Sequence, residues 1–497
     1  MAPKRGLDGN GRSRAPRPKV LVSQETRKKS ANGNKRTRSA RSLFPWGEKD
    51  NVADEGLDSG SDDEDEDESS RVRRKTGGED RGAAEVEARE TAEEKRLRLA
   101  RDVIFKLDVD QRGNAHDETH DADSSGDYIG KRLAEARLEA TGQLHREVAC
   151  KLQGVRIQAG SYRRMRGHKL SPTCVVLAPN DRSAFSGSKD NSIIRWDVET
   201  GKRDILVPQW KKSRGGQIPD VKAHSNEVLA LAVSGDGRYL ASGGRDRLIR
   251  VWDCRTNGLV ETFRGHQDAV SALSFRSNSL ALFSGSHDRC VKHWDLNEMG
   301  YVETMFGHQS DINAIDSWCK ERAVTGGRDR TARLWKVVED SHLVFRPVGG
   351  GSVDCIRMLN EDWFLTGGED GTLSLWFAMK KKPVTTVQAA HGYDSAGTPR
   401  WISALSSLRQ SDLVFSGSSD GLARLWRADI ESRSLTQVAS VSLEGFVNGI
   451  AVSSTGKFMV AAVGQEHRLG RWERRKVARN SLCVVPLLEE GANAKTD

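Results

Sequence analysis

Seven tryptophans, Trp196, Trp252, Trp294, Trp335, Trp376, Trp426 and Trp472, divide the last two-thirds of this chain at nearly regular intervals. Six close one recurring phrase, with a Ser/Thr-Gly start and an Asp six residues before the indole. It reads SGSKDNSIIRWD at 186–197, SGGRDRLIRVWD at 242–253, SGSHDRCVKHWD at 284–295, TGGRDRTARLWK at 325–336, TGGEDGTLSLWF at 366–377 and SGSSDGLARLWR at 416–427. A chain that repeats itself at a period of roughly 40–45 residues builds one small unit per repeat, and each unit buries its faces against its neighbours.

Gly-His and Trp-Asp phrases at this period are the signature of WD40 repeats. Alternation such as Leu248, Ile249, Val251, Trp252 suits strands packed between neighbouring sheets. The expected fold class is therefore all-β, a seven-bladed WD40 β-propeller over 154–488, preceded by a short helical segment at 83–153. Residues 1–82 read as a disordered basic-then-acidic tail and 489–497 as a C-terminal tail. Two segments compete to supply the strand that fastens the ring, GSYRRMRGH at 160–168 and NSLCVVPL at 480–487.

Each phrase contains a polar quartet: His168, Ser186, Asp190 and Trp196; His224, Ser242, Asp246 and Trp252; His266, Ser284, Asp288 and Trp294; His308, Thr325, Asp329 and Trp335; His391, Ser416, Asp420 and Trp426. A buried indole N–H, hydroxyl and imidazole all need partners, and this set satisfies them mutually. Ser, His and Asp together also resemble a hydrolase triad. Five copies, one per sheet, argue for architecture instead, and no enzyme is expected. Two repeats depart from the pattern. The fifth has GGGS at 349–352 in place of Gly-His, and the seventh, AAVGQEHRLGRW at 461–472, sets Ala462 and Glu466 where Ser and Asp should stand. Such departures mark either a functional position or degeneration. Trp472 fills the structural indole slot and is expected in the core.

The net charge is +8, but it is unevenly placed. Residues 4–41 are rich in Lys and Arg, whereas 58–68 reads DSGSDDEDEDE. Blocks of this kind serve as address or interaction segments; the basic clusters fit nuclear or nucleolar import, a nucleic-acid arm or a merely solubilising tail. Ser59 and Ser61 precede acidic residues and are weak phosphorylation candidates, and LFPW at 43–46 is a docking peptide of little specificity. No signal-peptide core or long apolar run exists, so neither secretion nor a membrane partner is expected. The seven cysteines are scattered without a CxxC pair, and HDETH at 116–120 lacks the surroundings of a metal site, so no metal or other cofactor is expected. Without a phosphate-cradling Gly-rich loop ending in GK[ST], nucleotide hydrolysis has no support. A small-molecule substrate is not expected.

Two stretches, 90–107 and 127–152, have helical periodicity with an apolar stripe, suited equally to a partner or to the propeller itself. Insertions at 207–217 and 379–397 map to loops. The residue before the quartet Asp is Lys189, Arg245, His287 and Arg328 in four successive repeats, with Arg247, Arg289 and Arg330 just beyond it, which places a basic arc on the rim. Such an arc suits phosphate or an acidic peptide, unless neighbouring carboxylates occupy it. WDCR at 252–255 matches a short phrase of ubiquitin-ligase substrate receptors, so a WD40 adaptor for acidic peptides or such a receptor is the alternative.

VGQEHRLGRW at 463–472, followed by KVARNSLCVVPL at 476–487, resembles the family of U3 small nucleolar RNA-interacting WD-repeat proteins. ETAEEKRLRLA at 90–100, RGHKLSPTCVVLAPND at 166–181 and YVETMFGHQSDINAID at 301–316 are similar to the same family, so the resemblance covers about 90–488. It implies a non-catalytic subunit of the nucleolar U3 ribonucleoprotein. The implied partners are the box B/C region of U3 snoRNA, a box C/D kink-turn-binding protein, and other proteins of the snoRNP and small-subunit processome. The implied role is pre-18S rRNA processing. In this chain the irregular last repeat gathers His467, Arg468, Arg471, Arg474, Arg475, Lys476 and Arg479, with Arg468, Arg471 and His467 as first candidates for contact. Arginines grip phosphates and stack on unpaired bases.

Overall fold

The computed structural model describes residues 124–152, 162–208 and 223–487. The tail, the stretch at 90–107, the HDETH string and most of the first insertion lie outside these residues. Twenty-eight strands form seven four-stranded antiparallel sheets. In chain order, β2–β5 (Pro172–Val207), β6–β9 (Val228–Phe263), β10–β13 (Val270–Phe306), β14–β17 (Ile312–Phe345), β18–β21 (Val353–Val387) and β22–β25 (Ile402–Ser442) make blades 1 to 6. Their first strands lie innermost and line the central channel.

Blade 7 answers the closure question by using both candidate segments. Its order is β26 (Phe446–Val452), β27 (Phe458–Gly464), β28 (Ser481–Pro486) and then β1 (Arg163–Met165). Arg163 stands opposite Val484 and Met165 opposite Leu482. Strands from the two ends of the propeller sequence are thus hydrogen-bonded in one sheet.

The five quartets stand together as polar chains. In blade 2 the Trp252 N–H donates to Ser242 Oγ at 2.8 Å, Ser242 Oγ lies 2.8 Å from His224 Nε2, and His224 Nδ1 lies 3.0 Å from Asp246. Blades 3, 4 and 6 repeat this, with His Nδ1 to Asp at 2.7, 2.9 and 2.9 Å. In blade 1 Ser192 Oγ sits 2.9 Å from His168 Nδ1, while Asp190 is at 3.5 Å. Burial pushes the carboxyl of Asp288 up, but the hydrogen bond from His266 and the amides of Gln267 and Cys290 outweigh it and hold the group down to about 2. Asp190, Asp246 and Asp329 are likewise lowered, burial being outweighed by bonds from their histidines. Blade 5 keeps the Trp376 to Thr366 bond at 2.9 Å but has no histidine. Its glycines close on the carboxylate instead: a Cβ on Gly349 would lie 1.7 Å from Asp370 Oδ2.

Trp472 departs from its expected core position. It is 60% exposed and lies outside every strand. Val485, paired with Met459, occupies the register that indoles hold in the other blades, for example Trp252 opposite Leu240. Ala461, fully buried, replaces the hydroxyl, one residue before the Ala462 that the sequence spacing indicated. Donor and acceptor were lost together, so nothing is left unpaired. The consequence is a long β27–β28 connection, 465–480, free of the quartet.

Helix α1 (Ser124–Ala140) is shorter than the 127–152 stretch implied, because Gly142, at φ 69°, ends it. Residues 143–152 then dock on the loops between the first and second strands of blades 5 and 6. Asp412 accepts the amides of Val148 and Ala149 at 2.7 and 3.0 Å, and Leu152 joins a buried apolar cluster with Leu413 and Val441. The described side chains of α1, Leu133 and Leu138 among them, remain exposed.

Replacing Ser242 by Ala should destabilise the protein by about 1–3 kcal/mol, since it strands a buried indole N–H and an imidazole. Ala461→Ser, which adds a lone buried hydroxyl to blade 7, should also lower Tm rather than restore a quartet. Thermal unfolding followed by tryptophan fluorescence would check both.

Candidate nucleic-acid interface

Loops joining second to third strands share one face with those joining successive blades. The 465–480 connection therefore lies on the same face as the rim turns that carry the basic arc. Its path accounts for the fate of each basic side chain.

His467 and Arg468, the first candidates for contact, are directed inward. His467 is 3% exposed and stacks on Trp401 with ring centroids 4.3 Å apart. Burial, with Arg468 and Lys189 nearby, lowers its pKa to about 3, so the ring is neutral. The Leu469 amide donates to Nδ1 at 3.3 Å, which leaves the ring proton on Nε2. Arg468 enters the central channel, and its guanidinium donates to the Asp354 carbonyl at 2.7 Å. Asp354 is itself held by Asn313 Nδ2 at 2.6 Å, by Ser352 and by the Trp401 indole. Arg468 thus seals the channel by tying blade 7 to blade 5. Its Nη2 is thereby committed to main-chain carbonyls inside the channel.

Lys189 also departs from the expected arc. It is 4% exposed, donates to the Gly470 carbonyl at 2.8 Å and lies 3.8 Å from Glu466. It fastens the loop to blade 1. Burial lowers its pKa, only partly offset by Glu227 and Glu466.

Arg471, Arg474, Lys476 and Arg479 remain at the surface. Arg471 Nε lies 3.3 Å and Arg474 Nε 3.9 Å from Glu466, with side chains 57% and 59% exposed. Ion pairs this exposed contribute little and exchange readily for a phosphate. Arg475 is half-buried, its guanidinium 5.7 Å from the Phe446 ring centre.

Around the same face the arc persists over blades 2 to 4. Arg245 pairs with Glu227 at 3.3 Å and Arg328 with Asp311 at 3.6 Å. Arg247, Arg289 and Arg330 are exposed, and their side chains have no ion pair or hydrogen bond among the described residues. Their φ angles are 68°, 70° and 61°. The equivalent position is Asn191 in blade 1 and Gly371 and Gly421 in blades 5 and 6. A left-handed backbone costs an ordinary L-residue roughly 1–2 kcal/mol, which glycine avoids. Sequence spacing located these arginines; only the backbone reveals that each holds a strained position without an internal partner.

Acidification tests the inward histidine. Because its folded pKa is depressed, the unfolded chain takes up a proton that the folded chain refuses between pH 6.5 and about 3. The stability contributed by neutral His467 is complete above that window and is lost as pH falls through it. His467→Gln should show a smaller loss of Tm over the window than the native protein in differential scanning calorimetry.

The chain matches the model of the WD domain, G-beta repeat over residues 160–197, 215–253, 257–295, 300–336 and 383–427. U3 small nucleolar RNA-interacting protein 2 of Mus musculus is 42% identical over 403 residues, covering 80% of this chain and 82% of that protein. The solved structure of U3-55K is 45% identical at a TM-score of 0.63, covering 67% of this chain and all of the other. The crystal structure of RRP9 WD40 repeats is 44% identical at the same TM-score, covering 67% and 99%. With that identity spread over four-fifths of both chains, this chain belongs to the family of U3 small nucleolar RNA-interacting protein 2 and shares its WD40 propeller.

Proposed function

We propose that this chain is a non-catalytic subunit of the U3 small nucleolar ribonucleoprotein, acting in pre-18S rRNA processing and small-subunit biogenesis in the nucleolus. It binds the box B/C region of U3 snoRNA beside a box C/D kink-turn-binding protein, among other snoRNP and processome proteins. The observation that carries this reading is the β27–β28 loop. It has given up the blade-stabilising quartet and presents Arg471, Arg474, Lys476 and Arg479 on the face that also carries the unpartnered Arg247, Arg289 and Arg330. Spaced guanidinium groups on a rigid ring read the shape and phosphates of a folded RNA stem rather than its sequence. Arg468 and Lys189 act indirectly, by fixing the loop. The quartets stabilise the blades, and no quartet is turned towards catalysis.

The full chain should bind a U3 box B/C stem far better once the kink-turn protein is present. Replacing Arg471, Arg474, Lys476 and Arg479 by Gln should weaken assembly with little change in Tm. Each lost phosphate contact should flatten the salt dependence by about 0.7–0.9 log units per decade. Unchanged binding, or crosslinked recovery of ubiquitin-ligase subunits without snoRNA, would overturn the reading. Arg247→Gly, Arg289→Gly and Arg330→Gly together should hold or raise Tm while lowering RNA affinity, as measured by calorimetry and filter binding. Deleting residues 1–41 should move the protein out of the nucleolus while leaving RNA affinity in vitro largely intact, as seen by imaging and titration.

A further inference from the structure

The inner side of the same loop has a different character. Trp472 lies over Gly470, where a Cβ would approach its ring to 1.8 Å, and stacks on Trp401 with centroids 5.6 Å apart and planes 10° from parallel. Its own ring centre is 5.1 Å from that of His467. This trio walls a cleft of about 200 Å³ between the loop and blades 5 and 6. The charged residues lining it are Glu369, Asp394, Glu473 and Arg400. Arg400 is neutralised by Asp394 at 3.6 Å, and Glu473 meets Arg475 only at 3.9 Å. The cleft therefore carries surplus negative charge in a chain whose net charge is +8. Aromatic faces add their own negative potential and attract cations. A phosphate is repelled here.

One more group asks for a ligand. His467 Nε2 is buried and has no hydrogen-bond partner in the structure. Its tautomer makes it a donor, and a buried donor needs an acceptor. A free metal ion or small cation offers none, whereas a peptide offers a carbonyl next to its side chain.

We propose that this cleft receives an arginine or lysine side chain from a basic peptide segment of a partner protein, the cation lying over Trp472 between Glu369 and Glu473 and a peptide carbonyl accepting from His467 Nε2. The site is separate from the RNA-facing arginines, so a basic protein tail and RNA engage opposite sides of one loop.

The test uses the full chain with the acidic run at 58–68 neutralised to Asn and Gln in every sample, so that it does not compete for the probe. Arg-Gly and Lys-Gly repeat peptides, an Asp-Gly control and oligouridylate are titrated by calorimetry. Saturable binding of a basic peptide is expected, with none of the control. Trp472→Ala should weaken it about 2- to 30-fold, while Trp472→Phe, which keeps an aromatic face, should retain most of it. Glu369→Gln with Glu473→Gln should weaken it and reduce its salt dependence, which decides the matter if Trp472→Ala lowers Tm. Unchanged peptide affinity in both the Trp472→Ala and the double-Gln proteins would overturn the proposal. So would oligouridylate that displaces the peptide and loses its own affinity on Trp472→Ala. Neither result bears on assembly with U3 RNA, which the Gln variants of the outer arginines report separately.

Discussion

A buried indole N–H must find an acceptor, and six of the seven blades are organised around supplying one. Trp196, Trp252, Trp294, Trp335, Trp376 and Trp426 each donate to a Ser or Thr hydroxyl two strand positions away. In five blades that hydroxyl is shared with a histidine whose other nitrogen is steered to Asp, directly or through Ser192. The chain of bonds runs from the strand to the turns at one end of the sheet. It therefore fixes the rim as firmly as the core, and it holds arginines at left-handed backbone positions that an unsupported turn would abandon.

Blade 7 shows what becomes possible when the requirement is removed. With Val485 and Ala461 in the indole and hydroxyl positions, both fully buried, the faces of the sheet pack by apolar contact. No histidine and no aspartate are needed at its turn. The connection is then free to grow, and it crosses the channel mouth instead of hugging its own blade. Lys189, Asp354 and Trp401, from blade 1, blade 5 and the approach to blade 6, hold it there.

The repeated part of the fold was legible because period, quartet and strand alternation all point to the same answer. The departures of Trp472 and of His467 and Arg468 have one origin. Trp472 follows Ala462 at the spacing that separates Ser242 from Trp252, so the loop mimics a strand that in fact lies at Ser481–Pro486. From that mistaken register, Arg468 and His467 look like rim residues. Whether a loop turns outward or into a channel depends on acceptors contributed by distant blades, here the Asp354 carbonyl, and no local pattern records that. The exposed members, Arg471, Arg474, Lys476 and Arg479, were identifiable from charge alone. Trp472 as a surface aromatic was not.

Closing the ring with β1 against β28 makes the last sheet a joint between distant parts of the chain. Pairings so far apart in sequence form late and slowly, because the intervening polypeptide must be ordered first. The loop that carries both proposed binding surfaces belongs to that joint. A nascent or partly folded molecule thus lacks the finished 465–480 connection, which takes its place only when the circle has shut. Topology here makes the loop's shape a readout of ring closure.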